Sequence, residues 1–256
     1  MRQMAAKTTA NAWCTVVVPC FNEAARLKVD SFLEFLAGNS GVRFLFVNDG
    51  SSDETLILLQ GLARLNPEQV MVLDLQPNSG KAEAVRVGML RAADESLVVG
   101  FWDADLATPL DALPELHSQL LNDQALEMVF GARVRLLGRQ IERRATRHYV
   151  GRVFASLASL LLHLPIYDTQ CGAKLFRVSS SLLEVMSQPF ETRWIFDVEI
   201  IARFLALHRK EREYGKRAIY EYPLKRWNDV AGSKVKLLDF IFSFWDLIRI
   251  GIKYYP

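Results

Sequence analysis

Asp103 and Asp105 stand where an apolar run stops, in VVGFWDADLATP (98–109). Residues i and i+2 of a strand point the same way. Two carboxylates at a strand end therefore face together and repel unless a positive charge separates them. Mg2+ or Mn2+ would serve, because hard divalent ions take oxygen ligands and commonly hold phosphates as well. A turn cap without metal is the other reading of the pair alone. A second feature is basic. Arg133, Arg135, Arg139, Arg143, Arg144, Arg147 and Arg152 face one acid, Glu142, and no lysine interrupts them. A solvated face is the bland account; the guanidinium fork, which matches phosphate oxygens, favours a phosphate site.

The elements that must position these groups follow from periodicity. Apolar runs at 14–19, 44–47, 70–75, 97–102 and 127–132 read as strands. Amphipathic segments at 27–36, from about 55 to 65, 81–93 and 110–121 read as the helices between them. Such alternation predicts an α/β fold with a mainly parallel, doubly wound sheet and flanking helices. Ligands in these sheets sit beyond the carboxyl ends of the strands. The loop from Pro19 through Asn22 to Glu23, Asp49, Gly80-Lys81 and Asp103/Asp105 all fall at such ends and should share one crevice. Lys81 there reads either as a partner for phosphate or as an exposed lysine at a helix start. No GxGxxG follows the first strand and no GxxxxGK[ST] occurs, so an ordinary dinucleotide site and a P-loop are excluded.

Beyond Ala132 the pattern changes. Residues 142–164 read as a long helix, basic at its start and leucine-rich at its end. Tyr167-Asp168-Thr169-Gln170-Cys171-Gly172 follows, then a strand at 174–178, helices at 180–186 and 196–207, and a strand at 218–222. No linker separates this part from the front, which predicts one domain over 13–234 in two halves, 13–132 and 133–234. Residues 1–12 read as a lead-in without the apolar core of a signal peptide. The last segment, 235–256, reads as an amphipathic helix. Lys236, Asp239, Ser243, Asp246, Arg249 and Lys253 form a polar stripe, and Leu237, Leu238, Ile241, Phe244, Trp245, Ile248 and Ile252 an apolar face. Packing on the core and lying in a membrane interface are both open to it.

Composition bounds the rest. The chain has 256 residues, 50% hydrophobic and 23% charged, with net charge +2, so no global field draws it to nucleic acid. Three cysteines without metal-ligand spacing argue for a reducing compartment and against a disulfide scaffold. Four scattered histidines give no zinc cluster. No run of eighteen uncharged apolar residues predicts a membrane span.

Seven segments together resemble family 2 glycosyltransferases of the GT-A fold, and among them the branch that makes dolichyl- or polyprenyl-phosphate glucose. They are VVPCFNE (17–23), VNDGSSDET (47–55), NSGKAEAVRVGML (78–90), DADLATP (103–109), YDTQCGAKLF (167–176), RWIFDVEI (193–200) and DVAGSKV (229–235). The resemblance implies a UDP-sugar donor and a polyprenyl or dolichyl phosphate acceptor, at the cytoplasmic side of a membrane with the protein peripheral to it. It implies that Asp49 meets the uracil beside the Pro19-to-Glu23 loop, and that Asp103 and Asp105 hold Mg2+ or Mn2+ against the diphosphate, with Gly80 and Lys81 in the nucleotide-sugar site. Arg133 and Arg147 match arginines that grip the acceptor phosphate. Asp168, as base or as an orienting group, and Gln170 face the sugar. Trp194 and Asp197 belong to the acceptor side, and Lys234 to a loop that closes near the nucleotide. Two departures stand out: Asn48 precedes Asp49 where many relatives have Asp-Asp, and Ala107 replaces a possible side-chain metal ligand. Direct displacement from UDP-α-glucose would invert the anomeric centre. Another sugar (mannose or N-acetylglucosamine), another acceptor, or an inactive binding module are the competing expectations.

Overall fold

The computed structural model describes residues 13–142, 145–230 and 237–255, with the side chains of residues 13, 145–150 and 237–241 left aside. Its elements run β1 (Trp13–Cys20), α1 (Val29–Ala37), β2 (Val42–Asp49), α2 (Thr55–Leu65), β3 (Val70–Leu75), α3 (Lys81–Ala93), β4 (Ser96–Trp102), α4 (Ala112–Asn122), β5 (Met128–Ala132) and β6 (Gln140–Ile141). Then follow α5 (Ala145–Leu162), β7 (Ala173–Arg177), α6 (Ser180–Met186), α7 (Phe196–Leu207), α8 (Tyr214–Ala218), β8 (Ile219–Pro223), β9 (Arg226–Trp227) and α9 (Leu237–Tyr254).

Seven strands form one sheet in the order β3-β2-β1-β4-β7-β5-β8. β1 pairs parallel with β2 and β4, as does β2 with β3 and β5 with β8. β7 runs antiparallel between β4 and β5, so the sheet is mixed rather than uniformly parallel. This inversion matters for position. It brings the loop that precedes β7, residues 168–172, to the edge where the loops that follow β1, β2, β4 and β5 emerge. The short β6–β9 ribbon and α8, not foreseen from the sequence, decorate that framework.

Strand alternation divides the core into two layers. Val16, Val18, Phe44, Phe46 and Trp102 face α1, α2 and α4. Val17, Leu45, Val47, Phe101, Phe130 and Phe176 face α3, α5, α6, α7 and α9. Gly88 lets α3 lie close on the sheet, since a Cβ there would stand 2.6 Å from Val17. α9 does not turn its polar stripe wholly to solvent. Ser243 is buried and Asp246 partly so, while Leu247 and Ile250 enter the core and Phe244 meets Phe154 of α5 at 6.3 Å between ring centroids. Phe242, Trp245, Ile248 and Ile252 are exposed instead.

Candidate active site

Hydrogen bonds stitch the strand-end loops together. Asn22, at φ 51°, accepts from the Ser52 amide at 2.9 Å and its own amide donates to Ser51 at 3.0 Å. Glu23 donates its amide to Thr55 Oγ1 at 2.8 Å, so the loop after β1, with Pro19 paired to Val47 at its base, is fixed on the start of α2. Asp49 is buried, and its carboxylate accepts from the Ser79 and Gly80 amides at 2.7 and 2.8 Å and from Asn78 Nδ2 at 3.0 Å. Gly80, at φ 91°, allows that turn and opens α3. Asn48 explains its own departure from Asp-Asp: its amide donates to Asp74 at 2.6 Å, where a carboxylate would repel.

The acidic pair lies at the centre. Asp103 receives the Lys81 ammonium at 2.5 Å, and its amide donates to the Gly172 carbonyl at 3.0 Å. Gly172 is required by close approach, because a Cβ would fall 1.9 Å from Asp103 Oδ2. Asp105 accepts from the Ala107 amide at 3.0 Å across a turn in which Leu106 takes φ 53°. Burial, and then the charge of Asp103, push the Asp105 carboxyl above its ordinary range; Lys81 and Arg26 offset this only in part. Burial pulls the Lys81 ammonium down, but Asp103, Asp197 and Asp105 outweigh it and the net shift is upward. Arg26, not foreseen, sits in the field of Asp105 and Asp103 while its fork engages Glu23. Its signal was the three-residue spacing Glu23 to Arg26.

This pair suits a hard divalent ion. Burial and then the neighbouring Asp103 charge raise the Asp105 carboxyl, and a cation between the two would relieve both. Among the described residues no group of three or more His, Cys, Asp or Glu could hold a metal. Asp103 and Asp105 would hold such an ion together with diphosphate oxygens and water, the usual arrangement for Mg2+ in phosphate sites.

On the other side of the crevice charges are matched. Arg133 grips Asp168 with Nε to Oδ2 at 2.6 Å and Nη2 to Oδ1 at 2.7 Å, and its amide adds a bond at 3.1 Å. Burial lowers the Arg133 pKa, but Asp168 outweighs it and holds the guanidinium charged. Its carbon lies 5.3 Å from the Trp227 ring. Glu221 accepts the Tyr167 and Asp168 amides, the latter at 2.5 Å, and burial raises its carboxyl pKa. Gln170 is on the same loop, and its buried Nε2 finds no acceptor among the described residues. Asp197 does not stand alone: it pairs at 2.8 Å with the wholly buried Lys174. Trp194 is exposed. The Arg147 side chain and Lys234 lie outside the described residues. Lys174, Glu221 and Gly172 are the residues that sequence reasoning gave no role. Gly172 and Lys174 were within a quoted motif, but nothing in the sequence said what they touch.

Comparison with known proteins fits this geometry. The sequence profile described as glycosyl transferase family 2 matches residues 15–182. A dolichyl-phosphate beta-glucosyltransferase of Drosophila melanogaster is 34% identical over 93% of this chain and 72% of its own length. Another, from Saccharomyces cerevisiae, is 30% identical over 94% and 74%. Among solved structures, glucosyl-3-phosphoglycerate synthase of Mycobacterium tuberculosis, in complex with Mn2+, UDP and phosphoglyceric acid, superposes with TM-score 0.67 at 19% identity, covering 94% of this chain and 78% of that one. The same enzyme with Mn2+ and UDP-glucose gives 0.64 at 22%, covering 94% and 78%. At those identities the structural likeness establishes the GT-A fold.

Proposed function

The chain belongs to glycosyl transferase family 2, and from that premise we propose that it moves glucose from UDP-glucose to a dolichyl or polyprenyl phosphate at a membrane surface, with inversion. The donor is that of the solved fold neighbours, and the acceptor is that in the names of the relatives at 30–34% identity. Asp49 and the 19–23 and 78–80 loops would seat the nucleotide. Asp103 and Asp105 would hold Mn2+ or Mg2+, which neutralises charge gathering on the departing diphosphate. Lys81 is placed to share that role. The acceptor is a phosphate monoester with a second pKa of about 6, so it arrives mostly dianionic and needs positioning more than deprotonation. Asp168 accepts from the Arg133 amide, from two nitrogens of its guanidinium and from the Gln170 amide. That arrangement suits an orienting group better than a base. Arg133, so oriented, and Arg147 would attract the acceptor phosphate.

The observation that carries the lipid acceptor is an exposed apolar surface on α5 and α9. Trp245 and Ile252 of α9 are 63% and 73% exposed, and Phe242 and Ile248 are exposed with them. Val153, Leu157 and Leu160 of α5 are exposed as well. The two helices pack together, Gly251 against Leu161 and Phe244 against Phe154. Both helices of this pair thus carry exposed apolar residues. α5 also carries Arg152, which donates to the Tyr167 carbonyl at 3.0 Å, one residue before Asp168. No described helix is long and apolar enough to cross a membrane, so attachment through these helices would be peripheral. A second reading keeps the donor and changes the acceptor to a small phosphorylated acid; the fold neighbours named above carry out that kind of transfer. Incubation with radiolabelled nucleotide sugars, Mn2+ and either polyprenyl phosphate or phosphoglycerate separates the two. Label should enter the organic phase from UDP-glucose and polyprenyl phosphate. Label only in a water-soluble product would overturn the lipid acceptor.

A further inference from the structure

Lys174 is a lysine in the middle of a sheet. Its side chain is wholly buried on the same face as Phe176, with the ammonium 5.6 Å from the Phe101 ring and 5.3 Å from that of Phe130. A buried ammonium without partners loses its charge or destabilises the fold. Here it has three partners. It donates to the Thr169 carbonyl at 2.9 Å and to the Cys171 carbonyl, and it pairs with Asp197 at the start of α7 at 2.8 Å. The two carbonyls flank Gln170. Asp168 is one residue before the first, and Gly172, against which Asp103 rests, is one residue after the second. Asp197 in turn acts on the Lys81 charge, and Lys81 holds Asp103. One ammonium thus sets the loop that carries Asp168 and Gln170, and its counter-ion reaches toward the acidic pair.

An apolar residue would fill this aromatic box with less desolvation cost, since buried ion pairs are commonly no more stabilising than hydrophobic replacements. The placement of the ammonium is better explained by the backbone it holds. We propose that Lys174 is a positioning residue for sugar transfer: it fixes the 168–172 loop so that Asp168 and Gln170 keep their relative places, with Asp197 as its counter-ion. The substrates rest on the proposed function; the positioning itself does not.

The test replaces the pair together, because removing one member alone leaves a buried charge. Lys174→Met with Asp197→Asn keeps the side-chain sizes near those of the wild type and removes both charges together. UDP affinity in the presence of Mn2+ is measured by calorimetry, the folded fraction by thermal melting, and kcat on the folded fraction. UDP affinity should stay near the wild-type value while kcat falls by roughly 100-fold, the scale expected of a misplacement of about an ångström. A kcat per folded molecule equal to wild type overturns the proposal, as does a parallel loss of UDP affinity and kcat. If the double variant does not fold, Lys174→Arg decides. It retains the charge but places a planar fork where one ammonium meets two carbonyls. Reduced kcat at unchanged UDP affinity supports positioning, and wild-type kcat overturns it. A wild type inactive with UDP-glucose and polyprenyl phosphate is a failure of the proposed function instead. The variants are then compared on the sugar nucleotide and acceptor that the wild type does use.

Discussion

The two halves of the crevice hold their charges differently. In 13–132 the loops after the strands are fixed by neutral donors: backbone amides on Asp49 and Asp105, and hydroxyl and amide groups around Asn22. Asp103 and Asp105 are left as a crowded pair against Lys81 and the more distant Arg26. In 133–255 three pairs of inner charges are matched, Arg133 with Asp168, Lys174 with Asp197 and Arg203 with Glu199 at 2.8 Å, while Glu221 is held by backbone amides. An unbalanced pair is improved by a cation that arrives with the substrate. A matched pair is already balanced and gains nothing from one. The first half is thus built to respond to a metal–diphosphate and the second to remain in place.

The sharpest way to break this contrast is Asp105→Asn. Turnover should fall by about 100-fold or more, as when a group stabilising leaving-group charge is lost. Stability should move the other way. The raised Asp105 pKa means that the folded chain holds this proton more tightly than the unfolded one. Its contribution to stability is full at low pH and lost as pH rises through the folded pKa. At neutral pH the carboxylate is therefore a cost, and Asp105→Asn should raise the melting temperature of the metal-free protein while abolishing the increase that Mn2+ gives the wild type. Melting curves with Mn2+ or EDTA, beside a UDP-release assay, check both. An EDTA-treated wild type with undiminished turnover would remove the metal from the account.

Gly172→Ala probes the seam between the halves, with a smaller effect. The new methyl would collide with the Asp103 carboxylate, and the Gly172 carbonyl that receives the Asp103 amide limits retreat. Turnover should fall by roughly 10- to 100-fold, with a higher Mn2+ requirement. The KM for the acceptor should stay near wild type. An acceptor defect without a metal defect would mean that the seam belongs to the second half.

How much of this was legible in the sequence follows the same division. The first half is regular: strand, crossover helix and loop recur, and each functional group sits at a strand end, so periodicity alone located Asp49, Gly80, Asp103 and Asp105. The second half breaks the rule that parallel strands set. β7 is inverted, and the sequence carries no mark of strand direction, so the meeting of Gly172 with Asp103 could not be read from it. Lys174 opens a strand-like segment and nothing in the sequence marks it as buried; Asp197 and two carbonyls, distant or unmarked in sequence, make its burial possible. On α9 the sequence shows a polar stripe, but periodicity does not say which face a helix buries, and Ser243 and Asp246 turn inward. Tyr254 with Glu199 and Arg203, and Lys253 with Glu191, fix its rotation from outside the helix.

That rotation gives the smallest expected effect on the enzyme itself, and it separates two neighbouring aromatic residues. Phe244 is half-buried against Phe154, whereas Trp245 is exposed. Phe244→Glu places a carboxylate in the α5–α9 contact and should lower the melting temperature and every activity together. Trp245→Glu changes a side chain that lies mostly in solvent. It should leave the melting temperature, UDP binding and transfer to a short detergent-soluble acceptor near wild type. What it removes is apolar area offered to a bilayer, about 1–2 kcal/mol for an aromatic ring that is already partly covered. Vesicle co-sedimentation should therefore weaken by roughly 5- to 30-fold, and turnover with long-chain polyprenyl phosphate in vesicles should fall with it. If Trp245→Glu instead melts early and loses all activities in parallel, α9 is held by a packing contact at that face. The exposed apolar surface would then have no part in bringing the lipid acceptor to Asp168.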